Sequence, residues 1–178
     1  INDPLDKLPE KYEKLEEILN KMRITQKDGS NGYIHYNNLK NIVNKELPTY
    51  DVKIEDDKQL LAALFRDFCF LAAAYSLESS HVNVNEKGNC EKAVDILPSN
   101  IAEPLIILSE KLDVNPWMDY AYGYGLNNAI FIGKDKKDYK DYKTIRTFNG
   151  SKSEEGFINV HVAMVAQTGE LLEHQQNI

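Results

Sequence analysis

The chain has 178 residues, of which 42% are hydrophobic and 28% are charged. This composition is typical of a globular protein and excludes a disordered chain. The formal net charge is -7 and no basic block occurs, so nucleic acid is not an expected partner. Because the chain opens on Ile1 rather than Met, we expect either a processed N-terminus or one piece of a longer protein.

The spacing of apolar residues predicts helices throughout the first half of the chain. A helix starts at Pro9, with an apolar stripe at 3.6-residue spacing, and ends at the turn cluster 28–32. A weaker helix spans 36–47. The longest helical signal, 58–79, is apolar over most of its surface, which predicts a helix buried among others.

The second half begins with a polar stretch, 81–95, that we predict to be a surface loop. Three further helices are predicted, at about 99–112, 116–130 and 154–173. The last of them follows Ser151-Lys152-Ser153-Glu154, which has the spacing of a capping box. One short strand is possible at 144–148, and no larger sheet is expected. The fold class is therefore all-α.

Cysteine content and hydropathy bear on the compartment. Cys69 lies in an apolar helical run and is expected to be a buried free thiol, and with Cys90 it makes at most one pair. The sequence therefore predicts a reducing, cytoplasmic location. The longest apolar stretch, 68–74, is too short to span a bilayer and follows Asp67, so no membrane association is expected.

Motifs for common chemistries are missing. The four histidines, His35, His81, His161 and His174, are scattered and none has metal-ligand spacing to another. Gly123-Tyr124-Gly125 is only a fragment of a dinucleotide fingerprint, and neither a phosphate-binding loop nor a serine nucleophile elbow occurs.

Two predicted helices have unusual features. Three tyrosines and two glycines share the six residues 120–125, which indicates close approach to the backbone by another helix or by a flat ligand. In the last helix, Phe157, His161 and Met164 fall on one apolar face. A lone histidine on such a face is usually a satisfied core residue, so helix packing alone explains both features as well.

Two sequence blocks in the second half decide between these interpretations. The first comprises 97–104 (LPSNIAEP), 108–112 (LSEKL), Pro116 and Tyr120-Ala121, and the second comprises 148–151 (FNGS) and Gly156-Phe157. In this order and spacing they resemble the indoleamine 2,3-dioxygenases. The likeness covers most of the chain and is specific from Leu97 to about Val162.

The resemblance implies an all-α fold, in which a small N-terminal domain (1–95) precedes the first helices of a large helical domain (96–178) that holds haem b. Members of this family open the indole ring of L-tryptophan with O2, which gives N-formylkynurenine. By position, Tyr120, Gly123 and Tyr124 match residues that line the substrate pocket above the haem. Phe157 matches the aromatic residue that packs on the indole.

His161 matches the distal position of that family, which is Ser or Thr in many members and His in the related tryptophan 2,3-dioxygenases. The resemblance makes His161 the candidate catalytic residue, because an imidazole there accepts the hydrogen bond of the indole N–H and orients the ring. Two departures are Gly123, where a cysteine or other small residue is common, and the bulky Tyr124, which is expected to narrow the pocket.

The family's proximal haem histidine, its carboxylate-binding arginine and its glycine-rich loop have no counterpart in this sequence. The resemblance therefore implies no metal ligand in this chain and a partner, either the C-terminal half of the same protein or another polypeptide. We expect a large apolar face of the last helix, including Val160, Val162, Ala163, Val165 and Ala166, to be covered by it. The alternatives are a haem-free, inactive interaction subunit of this fold, and a small helical binding module.

Overall fold

The computed structural model describes residues 4–89 and 92–176. Within them the chain is mostly helical, which confirms the all-α class. The five α-helices are α1 (Glu13–Met22), α2 (Leu39–Glu46), α3 (Lys58–Lys87), α4 (Ser99–Leu112) and α5 (Lys152–Gln176). Strands β1 (Ala129–Phe131) and β2 (Tyr142–Thr144) form an antiparallel hairpin. A π-helical turn, Tyr120–Gly125, lies between α4 and β1.

Helices α1 and α2 pack on α3 through the residues that the apolar spacing selected. The predicted stripe of the first helix is buried: Tyr12, Leu15, Ile18, Leu19 and Met22. The helix ends at Met22, earlier than the turn cluster at 28–32 that was expected to end it. α2 is also shorter than predicted. A side chain of α3 caps its N-terminus: the Glu78 carboxylate accepts hydrogen bonds from the backbone N–H groups of Leu39 (2.5 Å) and Lys40 (3.1 Å).

α3 is the central helix of the core. The Asp57 side chain caps its start by accepting the Leu60 N–H at 2.7 Å, and Gly88, with a φ of 69°, ends it in the left-handed conformation. The prediction that 81–95 is a loop is wrong for 81–87, which continue the helix by two turns. Polar residues there suggested a loop, but one C-cap glycine decides where the helix ends.

Helix α3 has the length and composition of a membrane-spanning helix, but most of it is buried inside the protein. Lys58–Val84 is long and apolar enough to cross a membrane by length and composition, so the prediction that the apolar region, 68–74, is too short to span a bilayer is wrong on length. However, 78% of this window is buried inside the protein, as in the core helix of a globular fold. The free Cys69 thiol is buried there, and burial raises its pKa to about 12; Cys90 lies outside the described residues.

α4 packs along α3 in the same hydrophobic core, which takes in Ile101, Leu105 and Leu108. The proposed boundary between domains 1–95 and 96–178 therefore falls between two helices that share a core, and it stays a prediction. A smaller apolar cluster joins Ala129 of β1 to Ile158 and Val162 of α5.

The prediction of a helix over 116–130 is wrong. Asn115 and Pro116 lie in non-helical backbone, and the π-helical turn gives way to a short 3-10 turn and then to β1. β1 pairs with β2 in the register Ala129↔Thr144 and Phe131↔Tyr142, so the predicted strand at 144–148 lies two residues too late. The aromatic and glycine pattern of 116–130 resembles that of an amphipathic helix. Pairing with β2, however, makes the end of this segment a strand.

A buried ionic network joins the N-terminal helices to the segment that follows β2. The Arg146 guanidinium donates hydrogen bonds to both oxygens of Glu16 (3.0 and 2.7 Å) and of Asp67 (3.0 and 2.8 Å). Arg66 donates to Asp67 at 2.7 Å and to the backbone carbonyls of Leu5 and Asn127. These charged side chains are buried, so their mutual pairing is what allows them to lie in the core.

α5 carries the expected apolar face in part only. Val160 and Val165 are exposed, as is the neighbouring Met164, whereas Val162 and Ala163 are buried against this chain. The expectation that the chain leaves all these positions uncovered is therefore wrong for Val162 and Ala163. Towards its C-terminal end, α5 also exposes large apolar side chains: Leu171 and Leu172.

Candidate functional site

The π-helical turn is held in place by one aspartate. The Asp119 carboxylate accepts the Tyr122 N–H at 2.7 Å, and the Asp119 carbonyl accepts the N–H groups of both Gly123 (3.0 Å) and Tyr124 (3.1 Å). This wide turn places Tyr120 and Tyr124 on the side that faces α5, with their ring centroids 5.9 Å apart. Single π-helical turns are often found at functional sites.

The start of α5 is fixed just as firmly. Ser151 Oγ accepts the Glu154 N–H at 3.2 Å, which confirms one half of the predicted capping box. The Glu154 carboxylate turns instead to the loop before the helix and accepts the N–H groups of Phe148 (2.7 Å), Asn149 (2.8 Å) and Gly150 (3.1 Å). Helix α5 therefore begins in a defined orientation.

The loop before α5 needs a glycine at position 150. Gly150 has a φ of 77°, and a Cβ there would lie 2.1 Å from the Thr25 carbonyl oxygen. The neighbouring backbone pairs with the segment after α1, through hydrogen bonds from Ile24 N–H to the Phe148 carbonyl and from Thr25 N–H to the Asn149 carbonyl. The N-terminal helices thus help to position α5.

Four of the five predicted site residues are joined by ring contacts, and three of them, Tyr120, Phe157 and His161, form one group. The Phe157 and His161 ring centroids lie 4.6 Å apart, one helical turn from each other on α5. Tyr120 meets His161 edge-on at 5.4 Å and Phe157 at 6.2 Å. We call Tyr120, Phe157 and His161 the aromatic face. Tyr120 and Phe157 are 48% and 50% exposed, so this face is open to a ligand and is not closed core.

Gly123 lies next to this face and is itself buried, yet a Cβ built on it would meet no atom within 4 Å. The glycine therefore does not serve close packing between two helices, which was one explanation for its presence. Instead it leaves free space beside the tyrosines. A ligand that enters from the aromatic face can approach the backbone here.

Tyr124 is tied into the protein and does not stand free in a pocket. Its ring stacks on Phe70 at 5.6 Å and lies parallel to Phe148 at 6.2 Å, and its hydroxyl lies 3.5 Å from the Glu154 carboxylate. Burial, together with the Glu154 charge, raises the pKa of Tyr124 to about 12. The phenol therefore stays protonated at neutral pH and supports the wall behind Tyr120.

His161 has one ring nitrogen already engaged. Its Nδ1 lies 2.7 Å from the carbonyl oxygen of Phe157, one turn back on the same helix. A donor Nδ1–H in this bond makes Nε2 the acceptor nitrogen of a neutral imidazole. The half-buried ring therefore presents Nε2 as a hydrogen-bond acceptor, and no group among the described residues donates to it.

The other histidines lie elsewhere. His35 is exposed beside Tyr36, His81 is on α3, and His174 is exposed near the end of α5. The described residues contain no group of three or more His, Cys, Asp or Glu side chains that could hold a metal ion.

Sequence reasoning missed the residues that support this site. Asp119 holds the π-helical turn, and Phe148 and Phe70 form the stack behind Tyr124. Arg146 went unnoticed although it stands in a segment with few charges, between Thr144-Ile145 and Thr147-Phe148. A charged side chain at a core-like position is the signal that could have identified it.

Comparison with known families decides what kind of protein presents this face. The sequence profile of the family described as indoleamine 2,3-dioxygenase matches residues 1–178. The chain belongs to the indoleamine 2,3-dioxygenase family. A comparison with individual curated proteins gives no match. The family match covers both the N-terminal helices and the aromatic face, and it identifies the chain as a dioxygenase-type helical protein.

The indoleamine 2,3-dioxygenase family implies haem, and the described residues fit one side of such a group. A half-exposed aromatic face beside the open space at Gly123 suits a flat, apolar ligand. Tyr120 and Phe157 would hold such a flat group by aromatic contact.

Proposed function

We propose that this chain forms the distal wall of a haem-dependent dioxygenase that opens the indole ring of L-tryptophan to N-formylkynurenine. Family membership supports a tryptophan-dioxygenase-like protein. The observation that carries the finer proposal is the aromatic face, in which a histidine with a free acceptor nitrogen lies beside two half-exposed aromatic rings and an open glycine.

Each side chain has a task that follows from its position. Phe157 and Tyr120 offer ring surface to the indole, because aromatic pairs gain about 0.5–1.5 kcal/mol beyond the area that they bury. Nε2 of His161 accepts the hydrogen bond of the indole N–H, which fixes the ring in one orientation. Gly123 leaves the room that the substrate needs.

Haem supplies the binding and activation of O2 when it is present. The residues of this chain bind the indole, orient it and exclude water from its aromatic faces. In the reaction the C2–C3 bond of the indole is cleaved and both atoms of O2 enter the product. No proton leaves the indole nitrogen for good, so His161 is proposed as a hydrogen-bond acceptor that positions the substrate.

The proposed site also requires groups from a second polypeptide segment. We propose that the C-terminal half of the same protein, or another polypeptide, provides the proximal ligand and the group that binds the substrate carboxylate. Val160, Met164 and Val165 lie exposed on α5, the helix that carries the aromatic face, and such a part would cover them. A cytoplasmic location remains a prediction.

Substitution of Gly123 tests the proposed pocket. In the haem-loaded native protein that contains this chain, we expect Gly123→Leu to abolish the change in haem absorption that L-tryptophan causes, because the side chain fills the space for the indole. A Cβ at this position meets nothing within 4 Å, so the substitution should leave the melting temperature close to that of the wild type.

Gly123→Ala is the matched control, since one methyl group leaves most of the space open. We expect it to retain tryptophan binding and, because alanine restricts the unfolded chain, to stabilise the protein by about 0.4–1 kcal/mol. Unchanged tryptophan binding in a folded, haem-loaded Gly123→Leu variant would show that the substrate does not lie beside this glycine.

A further inference from the structure

A cavity of about 570 Å³ that shares no residue with the aromatic face lies between the end of α1, the segment after it and the end of β2. Its lining includes more basic than acidic side chains: Lys21, Arg23, Lys27, Lys143 and Arg146 against Asp6 and Asp28. Lys21, Lys143 and Arg146 are paired with carboxylates, so Arg23 and Lys27 are the basic side chains of the lining that form no ion pair within the described residues. Small-molecule sites commonly have volumes of about 300–1,000 Å³.

Arg23 is the unusual residue of this cavity. Its side chain lines the cavity, yet the residue is only 7% exposed, and its Nε has no hydrogen-bond partner. Among the described residues, the guanidinium donates one hydrogen bond, from Nη2 to the Ile145 carbonyl at 3.4 Å, which is long. No carboxylate of the described residues forms an ion pair with it. Burial and the positive charge of Arg146 lower its pKa, and the more distant charges of Glu155 and Glu154 offset this only in part.

A buried guanidinium with no carboxylate in direct contact is costly, because desolvation of a charge must be offset by a partner. The carboxylates of Glu16 and Asp67 do not pair with Arg23, because both oxygens of each already accept hydrogen bonds from Arg146, the other arginine of the lining. Gln26 adds a second unsatisfied donor, since its buried Nε2 also lacks an acceptor. Two donors in one cavity therefore lack an acceptor.

We propose that this cavity binds a small oxyanion, the carboxylate or phosphate group of a metabolite, which pairs with Arg23 and is flanked by Lys27. The planar fork of an arginine matches two oxygens of either group. Lys27 is exposed at the rim and makes no ion pair within the described residues, so its charge is free to attract the anion. The substrate pocket proposed above uses none of these side chains.

The test is thermal unfolding of the native protein that contains this chain, in chloride, acetate or inorganic phosphate at constant ionic strength and pH. We expect a saturable rise in Tm with acetate or phosphate that chloride does not give, since a ligand of the native state stabilises it. A rise with acetate assigns a carboxylate ligand, and a rise with phosphate alone assigns a phosphate. No saturable rise with either anion would overturn the proposal.

Two variants and one control locate the effect. Arg23→Lys keeps the charge but loses the fork, and we expect it to weaken the apparent anion affinity by about tenfold or more. Lys27→Gln changes only an exposed side chain, and we expect it to weaken the affinity by about two- to fivefold even if the Arg23 variant fails to fold. Lys53→Gln, an equally exposed lysine outside the lining, should change nothing; equal affinities in all three variants would contradict the assignment.

Discussion

Replacing Arg146 with alanine is expected to lower the free energy of unfolding by about 3–5 kcal/mol. The side chain is 2% exposed and donates hydrogen bonds to Glu16, Asp67 and Asn20. Its removal leaves the buried Glu16 without its counter-charge and leaves Asp67 with Arg66 alone. Urea unfolding followed by circular dichroism, on wild type and variant under the same conditions, measures the difference.

Lys143→Ala is the matched control for this prediction. Lys143 lies three residues earlier and forms an ion pair with Asp6 at 3.7 Å, but both partners are about half exposed. Exposed pairs contribute about 0–1 kcal/mol, so we expect a small effect. A loss in Arg146→Ala no larger than that in Lys143→Ala would show that the buried network contributes little to stability.

The network also predicts how stability depends on pH. Burial acts to raise the pKa of Asp67, but the charges of Arg66 and Arg146 outweigh it, so the pKa lies below its ordinary value of 3.8. Because the pKa of Asp67 is lower in the folded state than in the unfolded state, its ionised carboxylate stabilises the fold at any pH above the unfolded pKa. This stability is lost as the pH falls through the folded-state pKa. In Arg146→Ala one of the two charges is gone, so we expect acid unfolding to begin at a higher pH than in the wild type.

The second large effect concerns catalysis by the haem-loaded native protein. We expect His161→Ala to lower kcat/KM for L-tryptophan by about 10- to 100-fold, because a lost hydrogen bond to the indole costs about 1–3 kcal/mol. Haem content should not change, since the axial ligand is proposed to lie elsewhere. Steady-state kinetics and the haem absorption of the same preparations measure both quantities.

His161→Ser and His174→Ala give this prediction its controls. A serine at position 161 keeps a hydrogen-bond acceptor, so it should recover part of the activity lost in His161→Ala. His174 lies on the same helix but is exposed and far along it, and its replacement should have no effect. A fall in melting temperature without a specific loss of activity in His161→Ala would mean that this histidine only packs.

The sequence was informative where side-chain periodicity determines structure. The buried stripe of α1 and the apolar surface of α3 followed from spacing alone. Phe157 and His161 were placed on one face because residues four apart on a helix always lie there. The meeting of that face with Tyr120 was implied only by the resemblance, since no local pattern specifies which loop packs on a helix.

What the sequence did not predict depends on contacts between distant residues. The end of α3 is decided by a single glycine, Gly88, after two polar turns that resembled a loop. The π-helical turn depends on the backbone and side chain of Asp119, and β1 depends on its partner strand. The ionic network joins Glu16 to Arg146 across 130 positions, a distance at which periodicity carries no information.

Product formation by the haem-loaded native protein tests the central claim most directly. The protein that contains this chain should show haem absorption and, with O2 and a reductant that keeps the iron ferrous, should convert L-tryptophan to N-formylkynurenine with one O2 consumed for each product. Haem absorption without this product would contradict tryptophan as the substrate. Neither haem nor product, in correctly folded native material, would contradict the proposed function and identify the chain as part of a haem-free subunit of this family.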